Sequence, residues 1–498
     1  MRGKAKASIL VSAAFATLVA AAGLEAQPFE YAYGPGNTLD QAFRRVTPVA
    51  FCGGGVGYIA VGTSGIGTAN SDVYVVRTNN AGVPIWEFTY DVQGVGAVDD
   101  GVALAEMRNG NGWVILANTQ AGVWSPALIQ IDCNGAVIWS RIYPDAAGLN
   151  LRGHDLIETV TGDPNFFTAA GDLAVAGLSF GGVANDAFLM RTNAAGFLIW
   201  NLAYDNTPVG GAPADEVFNA LTEAAPLAGQ LAGDLVAVGR YVSLANNNVQ
   251  GLVARVNGNN GAVGGAPHCM AHHGGGAADT YQSVTQLQTA PFGGQFAMVG
   301  MTSNPPWLDD IWAVRGTPCL INSQSRIGDA GGVVTSEGAL DVREVLVPLA
   351  VGVNVAVGDL AITGNQGPAV NGPWDAYLLF IRPGNLLPNF ANLFGDHALR
   401  NEIGVSLSQI PAGGLQPPGF IIAGLTETDW DGLADPRDMY LVNTDNFSHT
   451  PCDALWQPVG FKPNWPSVNL APNLRAPAQN FVLAPPAVQL QSPLPICP

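Results

Sequence analysis

Lysine is almost missing: in 498 residues it occurs only at positions 4, 6 and 462. Charged residues of every kind make up 12% of the chain, acids outnumber Lys and Arg 39 to 20, and the formal net charge is −19. So acidic a surface repels phosphate backbones and anionic lipid, which excludes nucleic acid as an expected partner. No apolar run is long enough for a spanning helix, which needs roughly 18–20 residues, so no membrane span is expected. Cysteine is sparse as well. The six (Cys52, Cys133, Cys269, Cys319, Cys452, Cys497) are far apart and include no Cys-x-x-Cys pair.

The N-terminus supplies most of the lysine. Arg2, Lys4 and Lys6 precede an apolar stretch from Ile9 to Ala22, and Leu24-Glu25-Ala26 stands before Gln27, the order of a secretory signal. Residues 1–26 are therefore expected to be removed, taking a net +2 with them and leaving about −21 on the mature chain. Cys52 lies too far from the cleavage region to become a lipidated terminus. The expected location is extracellular or at the cell surface, with the periplasm also open. In an exported chain, six cysteines point to disulfides rather than metal. Among the 15 connectivities that six cysteines allow, a Cys452–Cys497 bridge is expected to tie the tail back.

One pattern recurs. Gly57-Tyr58-Ile59-Ala60-Val61-Gly62-Thr63 is followed by Asp72-Val73-Tyr74-Val75-Val76-Arg77-Thr78, then Gly82, Trp86 and Tyr90. It returns as Asp186-Ala187-Phe188-Leu189-Met190-Arg191-Thr192, Gly196, Trp200 and Tyr204, and more loosely at five other places. Units of roughly 50–65 residues made of short alternating strands predict propeller blades. Innermost strands are expected after Asp40, Asp100, Asp155, Asp215, Asp279, Asp341 and Glu402. Second strands run into Gly62, Gly177, Gly239, Gly300, Gly364 and Gly424. Third strands are expected to open at Asp72, Ala127, Asp186, Leu252, Asp310, Asp375 and Asp438.

The outer-strand pairs are Phe29/Tyr33, Trp86/Tyr90, Trp139/Tyr143, Trp200/Tyr204, His268/His272, a degenerate copy near Ser323 to Ile327, and Phe390/Phe394. Seven outer strands thus match seven inner sets with a shift of one. This predicts a seven-bladed, all-β propeller of four-stranded blades over residues 27–452, closed by its N-terminal strand, which removes exposed sheet edges. The blades resemble those of secreted bacterial propeller repeat proteins, a resemblance that implies a fold more than an activity.

Glu427-Thr428-Asp429-Trp430-Asp431-Gly432-Leu433-Ala434-Asp435 places acids at alternate positions with a Gly for the turn. Oxygen ligands so spaced suit calcium. The segment resembles the calcium hairpin loops of integrin α-subunit propellers, and the ligand set expected is Glu427, Asp429, Asp431, Leu433 and Asp435. Glu427 departs from the Asp usual at the first position.

Other motifs have plainer readings. His268-Cys269-Met270-Ala271-His272-His273 looks like a soft metal cluster, yet His268 and His272 fall on the Trp and Tyr positions of the repeat. Gly177-Leu178-Ser179-Phe180-Gly181 matches a hydrolase motif that belongs on a strand-to-helix elbow, but here it ends a second strand. The Gly-then-Trp series resembles that of quinoprotein propellers, a resemblance that implies a calcium-held quinone, usually beside adjacent cysteines; no adjacent cysteines occur here and the count fits seven blades better than eight, so the Trp series is read as blade packing. Acids opening the inner strands are read as acceptors for turn amides, with a cation ring at one channel mouth as the minor option. Trp307, beside Asp309, offers weak support for a stacked sugar.

Residues 453–498 are rich in Pro with few charges, which predicts an extended tail packed on the propeller or on a neighbour. Three functions remain open: an exported, non-catalytic binding or interaction scaffold whose partner is a protein or glycan; a self-assembling subunit of a surface layer or fibre; and, with least support, a polysaccharide-active enzyme with paired carboxylates.

Overall fold

In the computed structural model the described residues are 28–33, 40–52, 57–68, 71–94, 96–205, 213–225, 233–264, 267–274, 278–303, 309–328, 335–349, 355–368, 374–394, 401–411, 418–426, 438–445, 448 and 450, with the backbone of six short strands further on. Residues 1–26, the loop 427–435, Trp307, Cys452 and Cys497 lie outside them.

Seven antiparallel sheets stand side by side, each built from four consecutive strands with the exception explained below. Blade 1 comprises Asp40–Pro48, Tyr58–Ile66, Asp72–Thr78 and Pro84–Tyr90. Blade 2 comprises Val98–Glu106, Trp113–Ala121, Val123–Ile131 and Val137–Ile142; blade 3, Asn150–Glu158, Leu173–Phe180, Asp186–Thr192 and Leu198–Asp205. Blade 4 holds Ala214–Glu223, Leu235–Ser243, Asn248–Val256 and Cys269–His273, and blade 5 Ala278–Gln286, Phe296–Ser303, Asp309–Thr317 and Leu320–Gly328. Blade 6 has Thr335–Glu344, Leu360–Pro368, Asp375–Ile381 and Pro388–Phe394. Blade 7 takes Glu402–Ile410, Gly419–Thr426 and Asp438–Asn443 from the end of the ring and its outer strand, Phe29–Tyr33, from the beginning, with Phe29 opposite Asn443 and Tyr33 opposite Met439. Ring closure by the N-terminal strand is thus as the shifted repeat predicts. Third strands in blades 2 and 4 open at Val123 and Asn248, four residues before the expected Ala127 and Leu252.

The core is divided among the blade boundaries. Alternate residues of each sheet face opposite sides, so every blade contributes to two apolar clusters. Val61, Val75, Ile115 and Ile129 fill the boundary between blades 1 and 2, while Phe43, Tyr74, Ile421 and Leu441 fill the one between blades 7 and 1.

A bulge interrupts all seven inner strands at the same place. The extra residue is Arg44, Val102, His154, Asn219, Gln282, Leu340 or Val405. Opposite each bulge stands the glycine that ends the second-strand motif, or Ala117 in blade 2. The bulge drives a carbonyl toward the second strand: a Cβ added at Gly62 would sit 1.9 Å from the Ala42 oxygen, and one at Gly300 would sit 1.9 Å from that of Thr280. No side chain fits there, which explains the recurrent glycine.

The Trp-x-x-x-Tyr motif is an inter-blade staple. Each Tyr hydroxyl donates to the carbonyl of the turn glycine in the next blade: Tyr33 to Gly82 (2.6 Å), Tyr90 to Gly135 (2.8 Å), Tyr143 to Gly196 (2.6 Å) and Tyr204 to Gly261 (2.9 Å). These glycines have φ between 69° and 85°, a conformation that favours Gly. Indoles of Trp86 and Trp200 donate to the carbonyls of Cys133 and Gly258, also in the next blade. At the boundary of blades 4 and 5 His272 replaces Tyr, and the disulfide Cys269–Cys319 crosses instead. A second disulfide, Cys52–Cys133, joins blades 1 and 2.

The sequence beyond residue 453 adds a fifth strand to six of the sheets. Ala454–Leu455 pairs with the outer strand of blade 6, Val459–Phe461 with blade 5, Ser467–Leu470 with blade 4 and Asn473–Arg475 with blade 3. Ala487–Val488 then pairs with blade 1 and Leu494–Pro495 with blade 7. The tail strands therefore visit the blades in reverse order. Among the described residues, blade 2 alone has four strands.

Candidate functional site

Because the inner strands line the axis, their bulges point side chains into a central cavity of about 580 Å³. All seven bulge residues line it, together with Arg45, Asp100, Asn118, Arg152, Asp155, Ser283, Asp341 and Asn365. Bulges re-aim side chains in this way at many sites. The position after the bulge carries the charges that cross the axis. Arg45 of blade 1 reaches Asp155 of blade 3 at 3.4 Å and Asp341 of blade 6 at 4.0 Å, and Arg343 meets Asp341 at 3.1 Å. Burial works against the Arg45 cation, but the two carboxylates hold its pKa above the ordinary arginine value.

Most of these groups are already satisfied. Asp155 accepts the amides of Leu156 and, from the next blade, Leu221. Asp341 likewise accepts those of Val342 and Leu407, plus the Ser283 hydroxyl. His154 Nδ1 lies 2.9 Å from the Phe218 carbonyl, so it carries the proton and donates, and burial keeps the ring's pKa low. Asn219 donates to the Tyr281 carbonyl, and Asn118 exchanges two bonds with Gly153. Asp100 takes the hydroxyl of Thr63, and Arg152 stacks 3.7 Å over Trp124. Arg44, in contrast, is exposed within the cavity.

The seven acids expected to open the inner strands do not form a ring. The bulge sets the true equivalence, and relative to it they fall at four different depths: Asp40 and Asp215 four residues before it, Asp279 and Glu402 three, Asp100 two, and Asp155 and Asp341 one after. The equivalent set three residues before the bulge is Gln41, Asp99, Leu151, Glu216, Asp279, Glu337 and Glu402, all buried. Burial pushes the Asp99 carboxyl up to about 6.

A second repeated position lies four residues after the bulge. Glu106, Glu158, Glu223, Gln286, Glu344 and Gln409 each accept backbone amides from the preceding blade, as in Phe51 N–H to Glu106 (2.8 Å) and Leu346 N–H to Gln409 (2.8 Å). Sequence reading missed these clamps, although a Glu or Gln at one recurring offset was there to find.

The His-Cys segment is absorbed by packing. Cys269 is in a disulfide, His268 Nε2 lies 3.1 Å from Asp234, His272 stacks on Tyr241, and His273 Nδ1 lies 2.8 Å from the Tyr281 hydroxyl. Ser179 sits inside a strand, between Leu151 and Asp186, with no helix after it.

No protein-family model matches this chain, and no curated protein does. Among solved structures it is similar to Chaetomium thermophilum Sqt1 bound to the N-terminus of the ribosomal protein L10, with 10% identity, 83% of this chain and 99% of that one covered, and a TM-score of 0.42. It is also similar to Penicillium chrysogenum alpha-L-arabinanase complexed with arabinobiose, at 12% identity, 69% and 93% coverage and a TM-score of 0.39. The architecture rests on the seven sheets themselves.

Proposed function

We propose that this chain is an exported, non-catalytic propeller that serves as an extracellular binding or interaction scaffold, taking an anionic group of a protein or glycan partner at the mouth of its channel. One observation carries this reading: in a chain of net charge −19, the cavity gathers Arg44, Arg45 and Arg152, and Arg44 is left exposed while the neighbouring charges are committed to one another. A guanidinium in a recess suits a carboxylate, which it can bind through two parallel hydrogen bonds. Asp155 and Asp341 are tied to backbone amides and arginines, which speaks against their use as a free acid and base. Two disulfides and the leader-like N-terminus support export.

The test is titration of the mature chain with acidic oligosaccharides and with peptides bearing a free carboxylate, comparing wild type with Arg44→Ala. Loss of a charge-assisted hydrogen bond costs roughly 1.5–3 kcal/mol, so at least tenfold weaker binding is expected. Equal affinity in the variant would remove the channel mouth as the site.

The second reading is a self-assembling structural subunit. It draws on blade 2, whose outer strand, Val137–Ile142, carries no fifth strand among the described residues and exposes Ile138. An open edge with apolar residues invites strand addition. Calcium at Glu427, Asp429, Asp431, Leu433 and Asp435 remains part of our proposal. It would hold that hairpin through oxygen ligands, and Asp429→Asn should abolish calcium binding there.

A further inference from the structure

One recurring cation lacks an acceptor in blade 5. Third strands carry Arg77, Arg191, Arg255 and Arg315, each opposite the residue three before the second-strand glycine. Arg77 donates to the carbonyls of Cys52 and Cys133, and Arg255 meets Asp234 at 2.8 Å. Arg191 is the fullest case, donating to Asp172, to the Thr159 hydroxyl and to the carbonyls of Thr161, Ala169 and Gly258.

Arg315 is 7% exposed, yet its buried Nε and Nη1 make no hydrogen bond, and it stacks instead on the face of Phe292 at 3.9 Å. Burial lowers its pKa, with no carboxylate near enough to oppose the shift. The acid is replaced: Leu287 N–H reaches the Gln295 carbonyl as Thr159 N–H reaches that of Asp172, so Gln295 stands at the Asp172 position. The Gln295 Oε1 is itself buried and without a donor. A guanidinium does not shed its proton in a protein, so one buried without a counter-charge is costly.

Where Arg191 has acceptors, Arg315 has a cavity. The loop hydrogen bonds make Leu287, Thr289, Phe292 and Pro383 the equivalents of Thr159, Thr161, Ala169 and Gly258, and all four line a space of about 440 Å³ between blades 5 and 6. Pro291 and Val357 extend its apolar wall, and Arg382 adds a second guanidinium. Both acids of the lining are engaged: Glu344 accepts the amides of Gln288 and Thr289, and Asp359 accepts that of Ala356.

We propose that this cavity is a second binding site, for a small organic acid with an apolar body, whose carboxylate takes the place around Arg315 that Asp172 and the loop carbonyls hold around Arg191. Guanidinium and carboxylate match as planar partners, and a largely apolar recess with a few polar groups suits a small ligand. Phe292, which touches Arg315 and lines the cavity, turns aside to admit it. The site lies outside the channel and does not use Arg44.

The experiment uses the mature chain carrying Arg44→Ala, so that binding at the channel mouth does not intrude and the two sites stand or fall separately. It is titrated with benzoate and hexanoate, with the neutral isostere benzamide, and with chloride and sulfate, by calorimetry and by melting temperature. At millimolar concentration a carboxylate is expected to bind and raise the melting temperature, and benzamide is not. Arg315→Met should weaken carboxylate binding by at least about tenfold and leave the unliganded chain no less stable, because it removes an uncompensated buried charge. Gln295→Asp, which restores the pair seen in blades 3 and 4, should stabilise the unliganded chain and exclude the carboxylate. A merely structural role for Arg315 would move stability without touching the contrast between benzoate and benzamide. Should Arg315→Met misfold, Gln295→Asp decides. No binding of either carboxylate, or equal binding in the folded variants, would overturn the site. An equal response to chloride or sulfate would overturn the organic ligand, leaving an inorganic anion only.

Discussion

A single hydroxyl shows what the repeat encodes. The Tyr143 hydroxyl reaches the Gly196 carbonyl across a blade boundary and is buried there. Tyr143→Phe keeps the ring and removes only that bond, leaving a buried carbonyl unsatisfied, so a loss of roughly 1–2 kcal/mol is expected in denaturant unfolding. His273 gives a pH-dependent counterpart. Burial, with His272 adding to it, pushes the imidazole down from 6.5 to about 4. Between those values the unfolded chain holds a proton that the folded chain does not, so the contribution is fully present above pH 6.5 and is lost as pH falls toward 4. His273→Gln should flatten the stability profile in that window by up to about 1.4 kcal/mol per pH unit. Urea midpoints measured from pH 4 to 7 would show it, and an unchanged slope would mean that His273 is not the group responsible. Tyr and Gly were legible as motif letters. Their roles were not, because a staple joins residues about 50 apart that only the ring brings together.

At the scale of strands, the alternation and glycine stops marked most elements, while the bulge misled. One added residue shifts every later position to the other face, which is why aligning acids by eye grouped Asp155 with Asp215 although they stand at different depths of the channel. Third strands of blades 2 and 4 lack the opening Asp, and their true starts at Val123 and Asn248 were hidden for that reason. Where the staple fails, covalent chemistry takes over. The Cys269–Cys319 bridge closes a segment of 50 residues, for which chain entropy predicts about 4 kcal/mol. Cys269→Ser/Cys319→Ser should therefore lower the thermal midpoint more than Tyr143→Phe does, and reductant should then have less effect on the variant than on wild type.

For the whole molecule, blade count and closure followed from the displaced Phe29–Tyr33 strand, because a repeat shifted by one has few other solutions. The path of the tail did not follow, since proline density dictates an extended backbone and says nothing of where it lies. Its strands on six blades bear on the choice between scaffold and fibre. Removal of residues 453–498 frees six outer edges, and freed edges associate. If the chain is a monomeric scaffold, light scattering should find the full mature form monomeric and the truncated form prone to aggregate. Concentration-dependent growth of the intact chain would favour the structural subunit instead.

Both ends of the ring sequence meet in blade 7, where Tyr31 lies opposite Leu441 on one side and Pro495 on the other. A chain that crosses a membrane from its N-terminus would thus deliver Phe29–Tyr33 first and wait for almost everything else before that strand gains either neighbour. The Glu30 carboxylate, which receives the Tyr440 hydroxyl at 2.7 Å, waits for a residue 410 positions later. Closure therefore requires the whole ring sequence: a chain interrupted anywhere before blade 7 leaves Phe29–Tyr33 without Asp438–Asn443 to pair with.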